Sequence, residues 1–281
     1  FWLKVRGIEG NGSMEHFLYF QQPKMLMSRR RVCYTAATAV PIICLLFHTN
    51  VAKAADDHRV RIACIGDSIT AGFKASSIDH SYPAVLQRAL GESYKVMNFG
   101  HPGATLLIAR NDPDSFRMPY SSTPEYKEAL TSSPDVVILM LGTNDATKYT
   151  WQNQSDSFPS AYRWMIQTFQ HLAGSQPELH IMVPPPLYKD GVYEGTDQTV
   201  INTVLPSVIR NVAQDNGLDP PIDLHKIYQA HCPDFNENSC ELMSSRNGSH
   251  PHDDALHPND EGYMKIAKAV AAVIRSPSHY V

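Results

Sequence analysis

From residue 55 onward, short β-rich runs alternate with amphipathic helical segments, and that alternation leaves the chain few ways to fold. Strands are expected at 60–65, 94–99, 136–141, 180–183 and 221–224. Between and after them lie expected helices at 82–90, 124–131, 157–173, 196–215 and 261–274. Strands joined through helices run parallel, and a parallel sheet must be covered on both faces. Right-handed crossovers then give a three-layer α/β/α sandwich of flavodoxin-like type, with a central, mostly parallel sheet of about five strands. No Pro/Gly/Ser-rich linker and no internal repeat divides residues 55–281, which read as a single domain.

A net charge of −4 and a hydrophobic fraction of 43% over 281 residues describe a globular protein. No Lys/Arg stripe interleaved with aromatics is present, so nucleic acid is not an expected partner. Ahead of the domain, residues 1–24 carry no interpretable pattern, and Met25 and Met27 are the candidate starts. Arg29-Arg30-Arg31, an apolar run over 32–47 and then Ala52-Lys53-Ala54 have the layout of a secretory signal at 25–54. Thr35, Thr38 and Pro41 interrupt that run, which is short for a membrane span. A secreted or extracytoplasmic protein without stable membrane insertion is expected, an uncleaved signal anchor being the alternative. Cys33 and Cys44 would leave with the signal; Cys64, inside a strand, reads as a small buried hydrophobe. Cys232 and Cys240 flank a polar loop that an oxidising compartment would close with a disulfide. Asn153 and Asn247 head glycosylation acceptor triplets, which matter in a eukaryotic host.

Gly66-Asp67-Ser68-Ile69-Thr70 closes the first strand, so Ser68 stands at the C-terminal edge of the sheet, where open α/β sheets build ligand sites. It is the candidate nucleophile, although Gly-Asp-Ser is also an ordinary turn former. After the second strand comes Asn98-Phe99-Gly100-His101-Pro102-Gly103, whose glycines let backbone approach a ligand and turn an N–H toward it. After the third comes Gly142-Thr143-Asn144-Asp145, in which the Asn144 amide suits a developing oxyanion or, alternatively, closes an Asx turn. Asp254-Ala255-Leu256-His257 precedes the last helix, and a carboxylate three positions from an imidazole can hold the ring in one tautomer while its other nitrogen faces Ser68. Asp253 competes for the carboxylate role. His250, His252, Asp253, Asp254 and His257 also invite a metal reading, but their spacing fits no zinc pattern.

In this order, Gly-Asp-Ser, Asn-x-Gly-x-x-Gly, Gly-x-Asn-Asp and Asp-x-x-His resemble the SGNH, or GDSL-type, hydrolase family over nearly all of residues 60–275. The resemblance implies Ser68 as nucleophile, His257 as base and Asp254, at the family's offset, as its orienting partner. It further implies an oxyanion hole made by the Ser68 and Gly103 backbone N–H groups and the Asn144 side chain. The activity implied is ester hydrolysis through an acyl-enzyme, with no cofactor or metal. A Gly-x-Ser-x-Gly elbow is absent, which argues against the larger α/β-hydrolase fold.

Exported members of such a family include esterases that deacetylate sugars, lipases and lysophospholipases. Irregular stretches at 110–124 and 231–254 are where substrate contacts are expected. Tyr149, Trp151, Tyr188 and Tyr193 fall in or near catalytic-edge loops, where they either stack on sugar rings or simply pack. Loops 111–122 and 189–198 are polar and supply no continuous groove for a long acyl chain. Acetyl on carbohydrate is the expected ester. A lipase, lysophospholipase or thioesterase is the alternative, and a non-catalytic carbohydrate-binding protein is the alternative of another class.

Overall fold

The computed structural model describes residues 58–108, 117–237, 239–244 and 254–275. The expected signal at 25–54, with Cys33 and Cys44, lies outside them, as do Asn247, His250, His252, Asp253 and part of each long irregular stretch. In chain order the elements are β1 Val60–Gly66, α1 Ser68–Ala71, α2 Tyr82–Leu90, β2 Tyr94–Gly100, β3 Ala104–Thr105 and β4 Met118–Pro119. Then come α3 Pro124–Thr131, β5 Val136–Met140, α4 Trp151–Gln154, α5 Phe158–Gln170, β6 Glu178–Val183 and α6 Val192–Gly195. The last are α7 Leu205–Asp215, β7 Ile222–Asp223, α8 Leu224–His231 and α9 Asp260–Ile274.

Five strands make one parallel sheet in the order β2-β1-β5-β6-β7, while β3 and β4 pair separately. The chain leaves β1 toward β2 on one side and then returns to add β5 on the other. That reversal is a topological switch point, and it opens a crevice beyond the carboxyl ends of β1 and β5. Successive side chains of these apolar strands face opposite layers. Ala63, Ile65, Val137, Leu139, Leu179 and Ile181 pack with α5 and α7 through Phe158, Tyr162, Ile166, Leu205 and Ile209. Ile62, Cys64, Ile138, Met140 and Met182 pack with α2, α8 and α9 through Tyr82, Leu86, Tyr228, Tyr263, Ile266 and Val270. Each fully buried Ile, Leu or Phe stabilises this arrangement by about 1.5–3 kcal/mol. Cys64 is inside the second layer, and burial pushes its thiol up to about 12. Among the described residues no helix is long and apolar enough to cross a membrane.

Two expected elements differ from what forms. The helix expected at 196–215 begins with a wide π turn, Val200–Val204, before α7. Pro206 is the reason: it offers no N–H to the residue four positions back, so the first turn cannot close in α geometry. The strand expected at 221–224 is cut to Ile222–Asp223 because Asp223 turns its side chain to cap the next helix, accepting from Lys226 N–H at 3.0 Å. That helix, α8, was not expected. Its signal is a capping Asp followed by Leu224, Ile227 and Tyr228 at helical spacing.

Candidate active site

Ser68 is the first residue of α1, placed directly after β1 by a short turn. Asp67 caps the helix by accepting the Ile69 N–H at 2.9 Å. Gly72, in the left-handed conformation at φ +91°, ends the helix after a single turn by donating to the carbonyls of Ser68 and Ile69. The seryl side chain is thereby held at the mouth of the crevice, with its hydroxyl donating to His257 Nε2 at 2.7 Å.

Asp254 and His257 meet through a turn that requires Ala255 at φ +53°. In that turn Asp254 Oδ1 accepts the backbone N–H groups of Leu256 at 3.0 Å and His257 at 2.8 Å, and the Ser244 hydroxyl at 3.1 Å. Asp254 Oδ2 accepts His257 Nδ1–H at 2.6 Å, so Nε2 is left to face the serine. Burial alone would raise this carboxyl, but the hydrogen bond and charge of His257, with the Tyr193 hydroxyl and the His257 amide, hold it well below the usual carboxylate range. Disulfide-bonded Cys232 and Cys240, with Cα atoms 5.2 Å apart, tie the end of α8 to the segment carrying Ser244. That segment supports the His257 turn: Ser244 N–H donates to the His257 carbonyl at 3.0 Å, and Asn259 Nδ2 donates to the Met243 carbonyl at 3.0 Å.

Ser68, Gly103, Asn144 and His257 all line one cavity of about 310 Å³, walled otherwise by Phe73, Pro102, Tyr193, Thr196 and Leu256. Gly103 sits at φ +79°, a conformation that turns the backbone tightly around the cavity. Asn144 commits one amide hydrogen to the Ala104 carbonyl at 3.0 Å, which locks it to the Gly103 loop and leaves its second hydrogen for the cavity. Buried Asp145 fastens the same loop by accepting the Leu106 and Leu107 N–H groups at 2.8–3.0 Å.

Ser68, Gly103, Asn144 and His257 are therefore gathered at one crevice with Asp254 against the imidazole, whereas Asp253, His250 and His252 lie outside the described residues. The aromatics divide. Tyr193 lines the cavity, whereas Tyr188 is buried with its hydroxyl donating to the Cys232 carbonyl at 3.3 Å, the packing alternative. Trp151 packs on Phe158 with ring centroids 5.2 Å apart, and Tyr149 lies under the Lys148 ammonium. Asn153 is exposed in α4. Two contributions were missed. Phe73 stands edge-on to His257 at 4.8 Å, and the Tyr193 hydroxyl donates to Asp254 Oδ2 at 2.6 Å. The signal available for Tyr193 was its place between Gly191 and Gly195, a frame for unusual backbone.

This geometry has relatives. Residues 64–265 match the family described as GDSL-like lipase/acylhydrolase. An acetylxylan esterase from Xylanibacter ruminicola is 31% identical over 239 residues, which cover 79% of this chain and 44% of that protein; the chain thus spans less than half of that relative's length. A solved carbohydrate acetylesterase from Sinorhizobium meliloti shares the fold with a TM-score of 0.59 at 19% identity, over 77% of this chain and 98% of that one. An aryl esterase from M. smegmatis shares it with a TM-score of 0.58 at 23% identity, over 76% and 98%. With the family match running from within β1 into α9 and enclosing each of the motifs at the crevice, the chain belongs to the GDSL-like lipase/acylhydrolase family.

Proposed function

We propose that this chain is a serine esterase that removes short acyl groups, acetyl above all, from carbohydrate. The observation that carries the proposal is the unbroken hydrogen-bond path from Ser68 through His257 to Asp254, opening on a cavity shared with Gly103 and Asn144. In this reading His257 Nε2 takes the Ser68 proton as the hydroxyl attacks the ester carbonyl. Asp254 keeps Nδ1 protonated and stabilises the imidazolium that forms. The oxyanion is held by the Ser68 and Gly103 N–H groups and the Asn144 amide, each donor contributing on the order of 3 kcal/mol to lowering the barrier. The imidazolium then protonates the departing alcohol, and water repeats the sequence on the acyl-enzyme.

Support for acetyl comes from cavity size, since about 310 Å³ is at the small end of ligand sites. Carbohydrate is supported by the printed activities of the acetylxylan esterase and carbohydrate acetylesterase relatives. Residues 55–281 form the catalytic domain in this reading, and secretion follows from the signal expected at 25–54.

Ser68→Ala is expected to slow p-nitrophenyl acetate turnover by about a thousandfold or more with unchanged thermal melting, as loss of a serine nucleophile does elsewhere. A variant at wild-type rate would overturn the assignment. Across p-nitrophenyl esters of rising chain length the rate should be greatest at two to three acyl carbons. A maximum at long acyl chains, with turnover of a lysophospholipid, would replace the acetyl reading by a lipase one; binding of acetylated xylan without turnover would replace it by a binding protein.

A further inference from the structure

Tyr193 combines features that catalysis by the Ser68, His257 and Asp254 set does not itself require. Its hydroxyl donates to Asp254 Oδ2 at 2.6 Å, the same oxygen that accepts His257 Nδ1–H. Its ring packs edge-on against the imidazole with centroids 5.6 Å apart. Its backbone lies at φ +47°, in the left-handed region that a bulky residue leaves unless the surroundings hold it there.

The surroundings do hold it. The buried Arg117 guanidinium donates to the Tyr193 carbonyl. Gly191 at φ +74° and Gly195 at φ +95° let the chain enter and leave the short α6 turn. Gly191 N–H donates to the Thr196 carbonyl at 2.9 Å and closes the loop on itself. Lys148 N–H donates to the Gly195 carbonyl at 3.0 Å, which ties the loop to the segment that follows Asn144.

We propose that Tyr193 is a positioning residue for the Asp254–His257 pair: its hydroxyl fixes the carboxylate and takes a share of the Oδ2 charge that would otherwise act on the imidazolium alone. The proposal rests on His257 being the base of an ester hydrolase. Asp254 is faced by His257 and Tyr193 on Oδ2 and by Ser244 and two backbone amides on Oδ1, while its charge is also felt by buried Tyr263 of α9, whose hydroxyl donates to the Phe73 carbonyl. None of the others supplies a second side-chain donor to Oδ2. Burial, reinforced by the hydrogen bond to and charge of Asp254, pushes the Tyr193 phenol well up, so it stays a donor across the working pH range.

Tyr193→Phe keeps the ring, the cavity wall and the backbone while deleting only this donor. On p-nitrophenyl acetate the variant should show about a tenfold lower kcat, because the carboxylate loses the donor that fixes its position and the imidazole is held less well against Ser68, with KM changed less than about threefold. The acid limb of its kcat/KM profile should move up by about half a pH unit, because the carboxylate then acts on the imidazolium undivided. A purely structural role would leave that limb in place. An unmoved limb, or a rise in KM at constant kcat, would overturn the proposal. Ser68→Ala run in parallel separates this from failure of the esterase reading, which would show as turnover that does not depend on Ser68.

Discussion

Asp67 and Asp145 are both fully buried beneath the candidate nucleophile and the Asn144 turn. Burial pushes the Asp67 carboxyl up to about 7 against the Ile69 N–H, with the charge of Asp145 adding to the rise. Burial likewise pushes Asp145 up to about 7 against the amides of Leu107 and Leu106. An unfolded carboxyl titrates near 3.9, so between about pH 4 and pH 7 the folded state binds more protons than the unfolded one. Stability must therefore fall as pH rises through that window. Asp254 has the opposite sign: held low, it contributes stability above about pH 4 that is lost as pH falls through its folded value. Urea midpoints of the wild type are expected to drop between pH 5 and pH 8, and Asp145→Asn should flatten that slope by a few kcal/mol over the window. An identical slope in the variant would show that Asp145 is ionised throughout. From sequence, Asp145 was visible only as part of a motif, because its burial depends on a loop that folds over it from β2.

At the scale of elements, the site depends on how closely α1 rides on the sheet. A Cβ on Gly100 would stand 2.2 Å from the Ala71 nitrogen and 2.6 Å from the Thr70 carbonyl carbon, both backbone atoms that cannot yield. A Cβ on Gly66 would meet the Thr70 hydroxyl at 2.2 Å and the Met140 carbonyl at 2.6 Å. Gly100, the last residue of β2, is required because the helix bearing Ser68 packs on it. Gly100→Ala should displace α1 and lower kcat/KM for p-nitrophenyl acetate by about a hundredfold, the scale of an ångström's misplacement of a reacting group. Wild-type turnover in that variant would mean that α1 has room the packing denies. The π turn before α7 and the capped start of α8 are other element-scale outcomes, each traceable to one residue, Pro206 and Asp223.

For the whole molecule, the order β2-β1-β5-β6-β7 converts separate turns into one site. The strands of the five-stranded sheet, the longer helices and the motifs were legible because alternation, capping and turn chemistry act between near neighbours in the chain. The Asp254–His257 pairing was legible for the same reason, with only three positions between the partners. What the sequence by itself determined, then, is the five strands of the main sheet, the longer helices between them, their parallel pairing and the chemistry carried at their ends. Only the tertiary structure decided that Ser68 meets His257 across 189 positions, that Tyr193 reaches Asp254 across 61, and that Tyr188 is buried while Phe73 borders the cavity. Those contacts follow from the sheet's reversal between β1 and β5 and from the packing of loops over it, and packing among residues distant in the chain leaves no local pattern to read.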